Sequence, residues 1–113
     1  MSTVSIGKEG EQKAVGYLIE NNHQILRKNY RKITGELDIV SLKNDTIYFI
    51  EVKNWLGGFV HPLETFHKKK RNRMRMVASY FFLEMNIPDD RYKVSFSLLS
   101  ISKEKIDFFQ DLF

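Results

Sequence analysis

Gly35-Glu-Leu-Asp38-Ile-Val-Ser-Leu42, then Lys43-Asn44-Asp45, then Thr46-Ile-Tyr-Phe-Ile-Glu51-Val-Lys53 reads as two strands and the turn between them. Both runs are rich in Ile, Val, Tyr and Phe, and the polar triplet between them is a tight connection, so Gly35–Leu42 and Thr46–Lys53 are expected to form a hairpin. Inside these apolar strands stand three charged side chains, Asp38, Glu51 and Lys53. An unpaired charge in a sheet interior costs several kcal/mol unless something compensates it, and a bound cation is one such compensation.

Side chains alternate along a strand, so Ile47, Phe49, Glu51 and Lys53 share one face while Tyr48, Ile50 and Val52 share the other. Glu51 and Lys53 are then neighbours about 7 Å apart, close enough to converge on one substrate atom. With the turn at Asn44, Asp38 falls within reach of Glu51 across the hairpin. Two carboxylates offer hard oxygen ligands to Mg²⁺, and a nearby ammonium can orient water and stabilise charge on phosphoryl oxygens, which suits phosphodiester hydrolysis.

Outward from the hairpin, Ile6, Gly10, Ala14, Val15, Leu18 and Ile19 predict a helix over Ile6–Asn22 with one packed face. Glu11 lies on that stripe, at the end where a helix can deliver a carboxylate to a sheet edge. Gln24–Tyr30 reads as a first strand. After Gly57-Gly58 and His61-Pro62 a second helix runs to about Asn86, with Met74, Val77, Ala78, Phe81, Phe82 and Met85 at helical spacing. Tyr80, Phe81 and Phe82 are expected in its core face. Tyr92–Ile101 is a fourth strand and Lys105–Phe109 a short fifth. The order α-β-β-β-α-β-(β) suits an α/β fold, a mixed sheet with helices packed against it.

The 113 residues, 42% hydrophobic, suffice for one domain over 1–113. There are no cysteines, which excludes disulfides, zinc-thiolate sites and thiol catalysis and agrees with a cytoplasmic location. No run approaches the length of a membrane span, and no signal-peptide core stands at the N-terminus. Net charge is +4, yet Lys68, Lys69, Lys70, Arg71, Arg73 and Arg75 supply six positive charges in the first turns of the second helix with no acid among them. The rest of the chain is net acidic. A focused patch of this kind attracts polyanions, nucleic acid first, with anionic lipid or an acidic protein as the other partners of that chemistry.

Gly7-x-x-Gly10-Glu11-x-x-Ala14-x-x-Tyr17-Leu18, Lys28-Asn29-Tyr30-Arg31, Gly35-Glu36-Leu37-Asp38, Glu51-Val52-Lys53, Pro62-x-Glu64 and Lys70 resemble the small bacterial YraN-like proteins over nearly the whole chain. Within that pattern, Asp38 and Glu51-Val52-Lys53 resemble the active-site signature of the PD-(D/E)xK, or restriction-endonuclease-like, nuclease superfamily, and the chain is similar to archaeal Holliday junction resolvases, which are dimers. The resemblance implies a restriction-endonuclease-like α-β-β-β-α-β core and a Mg²⁺-dependent endonuclease, with Mn²⁺ as a substitute, acting on DNA, branched or structured DNA in particular. It implies Asp38 and Glu51 as metal ligands, Lys53 as the catalytic lysine, Glu11 as the helix-one glutamate, Lys70 as a phosphate contact and a homodimer as the assembly. Three places depart from the pattern: Asn54-Trp55 where a basic residue is common, Val60-His61 where a glycine precedes the proline, and Ser97 in place of an aspartate.

Trp55, directly after the hairpin, is placed to stack on an unpaired base or to pack. His61 and His67 with Glu64 match no usual zinc spacing, and the two histidines read as solvated loop residues. The competing function is a binding protein that holds nucleic acid or a partner on the same fold without cleaving.

Overall fold

Nine-residue strands of Ile, Val, Leu and Phe need cover on both faces, and one helix on each side supplies it. The computed structural model describes residues 3–54, 66–88, 90–102 and 105–113, with side chains from residue 9 onward. The elements are α1 (Thr3–Glu20), β1 (Gln24–Lys32), β2 (Gly35–Lys43), β3 (Thr46–Asn54), α2 (Lys68–Glu84), β4 (Lys93–Ile101) and β5 (Ile106–Phe109). They build one five-stranded sheet in the order β1-β2-β3-β4-β5. Its first three strands form an antiparallel meander, β4 runs parallel to β3, and β5 returns antiparallel. The parallel step needs a long crossover, and α2 lies within it.

α2 lays Met74, Val77, Ala78 and Phe81 against Leu37, Val40, Ile47, Phe49, Phe96 and Leu98 on one face. α1 covers the other face, with Ala14 and Leu18 against Ile39, Ile50, Leu99 and Ile101. The expected mixed α/β fold and element order are therefore present. The β2–β3 turn closes at the pair Lys43–Thr46, with Asn44 in the left-handed region at φ 54°, a conformation Asn tolerates better than most residues.

Three side chains assigned to packed stripes, Ile19, Tyr80 and Met85, lie outside them. Ile19 is 57% exposed and Tyr80 43% exposed, because each sits about 100° around the helix from the fully buried Leu18 or Phe81 beside it. Phe82 packs at the edge of the α2 cluster, and Met85 caps the helix with much of its side chain in solvent. Each helix buries one narrow stripe.

On the α1 face the buried His23 has its Nδ1 2.9 Å from Ser41 Oγ, and its ring packs on Tyr48 and Phe108. Burial, aided by the charge of Lys43, lowers the pKa of this imidazole to about 4. Among the described residues no helix is long and apolar enough to cross a membrane.

Candidate active site

From Lys43 back to Ile39, β2 pairs with β3 residue by residue, and Ile39 stands opposite Ile50. One step further the count would set Asp38 against Glu51, the register anticipated from a turn at Asn44. The ladder stops there instead, and Asp38 Oδ2 accepts the N–H of Val52 at 2.7 Å. On the other side of β2, Lys28 pairs with Ile39 and Tyr30 with Leu37, while Asn29, facing Asp38, is skipped and has φ 52°. Strand alternation breaks at this point: Leu37 and Val40, three residues apart, both join the α2 cluster, whereas Ile39 belongs to the α1 cluster. Asp38 therefore sits where the sheet parts, held by the backbone of the neighbouring strand.

The carboxyl of Asp38 is hard to ionise there. Burial pushes its pKa up to about 6; the Val52 hydrogen bond pulls the other way, and the negative charges of Glu51, Glu36 and Glu11 add to the rise. Glu51 is part-buried, its side chain 17% exposed. Its two oxygens differ. Oε1 receives Lys70 Nζ at 2.5 Å and has Lys53 Nζ at 3.6 Å, whereas Oε2 is buried with no hydrogen-bond partner among the described residues.

Glu11 reaches the site from α1, where its Oε2 accepts Asn29 Nδ2 at 3.2 Å. It lines a cavity of about 270 Å³ together with Gln12, Val15 and Lys28. The preceding Gly10 permits this approach: a Cβ there would stand 3.1 Å from Asn54 Cβ, closer than ordinary van der Waals contact. The charges of Glu11 from α1 and Glu51 from β3 thus act on Asp38 of β2, as does that of Glu36, although among the described residues no cluster of three or more acidic, His or Cys side chains has ligand geometry.

The six basic residues of α2 do not form one face. Lys68, Lys69 and Arg73 are exposed, and Lys70 turns inward to Glu51. Arg71 is half-buried, with an unpartnered Nε, and Arg75 lays its guanidinium 5.0 Å from the Phe113 ring centroid. His67 caps α2, its Nδ1 accepting the N–H of Lys70 at 3.3 Å, so it is a structural cap rather than a loop residue. Trp55, His61, Pro62 and Glu64 lie outside the described residues.

Sequence reasoning missed Asn29, the Val52 N–H and the Gly10–Asn54 approach. Asn29 left a signal, since Asn is depleted in strands and tolerates positive φ. The other two left none.

Residues 10–101 match the model of the Uncharacterised protein family UPF0102. The chain belongs to this family. A UPF0102 protein of Leptospira interrogans is 40% identical over 109 residues, covering 95% of this chain and 93% of the relative. One from Alkaliphilus oremlandii is 37% identical over 113 residues, covering 96% and 97%. A third, from Clostridioides difficile, is 40% identical over 88 residues, covering 77% of each. The UPF0102 match spans Glu11, Asp38, Glu51, Lys53 and Lys70.

Proposed function

We propose that this UPF0102 protein is a divalent-metal-dependent endonuclease of the PD-(D/E)xK, restriction-endonuclease-like, superfamily, hydrolysing phosphodiester bonds in DNA, with branched or structured DNA as the preferred substrate. One observation carries the reading: the buried Glu51 Oε2 has no partner, beside an Asp38 that is costly to ionise. Buried polar atoms are nearly always satisfied, and this one is an anionic oxygen. Mg²⁺ commonly uses only one or two protein carboxylates and takes its other ligands from water and phosphate, so Glu51 Oε2 and the free oxygen of Asp38 fit it; Mn²⁺ accepts the same set. When bound, the cation supplies charge neutralisation at the phosphoryl oxygens and a more acidic water.

The chain's own groups supply the rest. Lys53, tied to Glu51 Oε1, orients the attacking water and offsets charge on the phosphate. As the water oxygen bonds to phosphorus, the ester P–O bond breaks and the leaving oxygen takes up a proton. Glu11 holds Asn29 and so keeps β1 against the parted edge of β2. Lys68, Lys69 and Arg73 face solvent and receive backbone phosphates. Two copies side by side would present two sites to a branched duplex, so a homodimer in the cytoplasm is the working form in this reading.

The test is cleavage of labelled single strand, duplex, flap, four-way junction and RNA in Mg²⁺ and in Mn²⁺, with Asp38→Asn beside the wild type. Metal-dependent cutting that disappears in the variant supports the nuclease. No cutting by either protein, with binding intact, turns the assignment to the second reading, a nucleic-acid- or partner-binding protein. The exposed Lys68, Lys69 and Arg73, which attract phosphate without any metal, support that second reading.

Binding has its own signature. Replacing Lys68, Lys69 and Arg73 together by Ala is expected to lower the slope of log K against log salt by about 0.9 for each phosphate no longer neutralised. An unaltered slope would remove this end of α2 as the binding surface.

A further inference from the structure

We propose that Lys70 couples nucleic-acid binding to metal loading. Its ammonium holds Glu51 while no substrate is present, then leaves for a substrate phosphate and frees the carboxylate for the cation. This rests on the nuclease reading and adds an order of events to it.

Glu51 Oε1 has two cations, and they are not equivalent. Lys53 stands two residues along the same strand at 3.6 Å, fixed to the site by β3. Lys70 comes from the first turn of α2 and makes the closer contact, 2.5 Å. Its backbone is anchored, since the Lys70 N–H is bound by the His67 cap, but its four-carbon stem is free to rotate. The Nζ rests 5.9 Å from the Phe66 ring centroid, on the rim between Glu51 and solvent, with the side chain 26% exposed. Lys68 and Lys69 precede it in the first turn of α2 and are exposed, so polyanions are drawn to the end of the helix that carries Lys70.

An ammonium on a carboxylate competes with any other cation for it. Lys70 on Oε1 lowers the negative potential a cation would meet at the neighbouring Oε2, so a metal there weakens the hold of Glu51 on Lys70, and a phosphate that engages Lys70 strengthens the site for the metal. Coupling of this kind is reciprocal: each ligand raises the affinity of the other by the same factor. A part-buried pair of this geometry sets a factor of roughly ten.

Two measurements test it. Mn²⁺ binding without DNA, read by electron paramagnetic resonance and calorimetry, should tighten roughly tenfold in Lys70→Met and return to the wild-type value in Lys70→Arg. Duplex binding by anisotropy in EDTA should tighten severalfold in Glu51→Gln, and the gain should vanish in Glu51→Gln/Lys70→Met. Asp38→Asn, which removes a neighbouring charge without releasing Lys70, serves as the control and should gain less.

Equal Mn²⁺ affinity in the wild type and Lys70→Met, with binding abolished in Glu51→Gln, overturns the coupling and leaves the metal site standing. Mn²⁺ affinity unchanged in Glu51→Gln overturns the metal site and the coupling with it. Should Lys70→Met fail to fold, a DNA gain in Glu51→Gln no larger than in Asp38→Asn overturns the coupling on its own.

Discussion

Asp38→Asn is expected to yield a protein that melts higher than the wild type and cleaves nothing. In the folded chain the carboxyl titrates at about 6 instead of 3.8, chiefly because it is buried. At neutral pH the folded state therefore bears the cost of an ionised group the unfolded chain solvates freely, roughly 3 kcal/mol from the shift in pKa. Asn removes the charge and keeps an oxygen to accept the Val52 N–H, so the hydrogen bond that closes the gap between β2 and β3 survives. In a domain of this size a gain of that order raises Tm by on the order of 10 °C. If the proposed nuclease reading holds, cleavage falls by on the order of a thousandfold or more, since that reading makes Asp38 a metal ligand.

Thermal melts at pH 7.5 in EDTA and in Mg²⁺ check both halves. The wild type should rise in Mg²⁺ and Asp38→Asn should not, because only the wild type gains from ligand binding to its folded state. A variant less stable than the wild type in EDTA would mean that the Asp38 anion has a stabilising partner the geometry does not contain. A variant more stable than the wild type would instead mark Asp38 as a carboxylate kept at the expense of stability.

The second large effect lies in acid. His23 is buried and neutral, with a pKa lowered from 6.5 to about 4 by burial first and Lys43 second. Its contribution is fully present above pH 6.5 and is lost as pH falls toward 4, because the unfolded chain takes up a proton the folded chain refuses; the loss is roughly 3 kcal/mol. Asp38 has the opposite sign. Its folded-state pKa is raised, so its cost is full above pH 6 and is relieved as pH falls from about 6 to 3.8.

Over the shared window, about pH 6 to 4, the two slopes nearly cancel. Urea denaturation of the wild type should then show little change in stability from these groups, whereas Asp38→Asn, which retains only the His23 slope, should lose roughly 3 kcal/mol across the window. Combining Asp38→Asn with His23→Gln should flatten the profile again. A wild type and Asp38→Asn that track each other down to pH 4 would refute this opposition.

The hairpin, both helices and the order of elements were legible because each rests on local periodicity: alternation in Ile47 to Lys53, three- and four-residue spacing in Met74 to Phe81. Asp38, Glu51 and Lys53 were legible for a related reason, since a charge inside an apolar strand contradicts its surroundings within a few residues. Tyr80 and Ile19 lie outside the stripes their sequence suggests because apolar character says that a residue can be buried, while the width of the stripe that is buried depends on what the helix meets.

The relations among the site residues are of another kind. Lys70 meets Glu51 across 19 residues, Asp38 takes the Val52 N–H across 14, and Asn29 reaches Glu11 across 18. Local pattern by itself settles which residues are charged, which segments are strands and helices, and that Asp38, Glu51 and Lys53 stand on β2 and β3. Only the packing of α1 and α2 on opposite faces decides that the basic cluster divides, that Lys70 alone of the six turns to Glu51 among the described pairs, and that one oxygen of Glu51 is left without a partner. The physical reason is separation along the chain. Periodicity is written in neighbours, whereas an ion pair or an unsatisfied atom is defined by groups that only the folded chain brings within a few ångströms of each other.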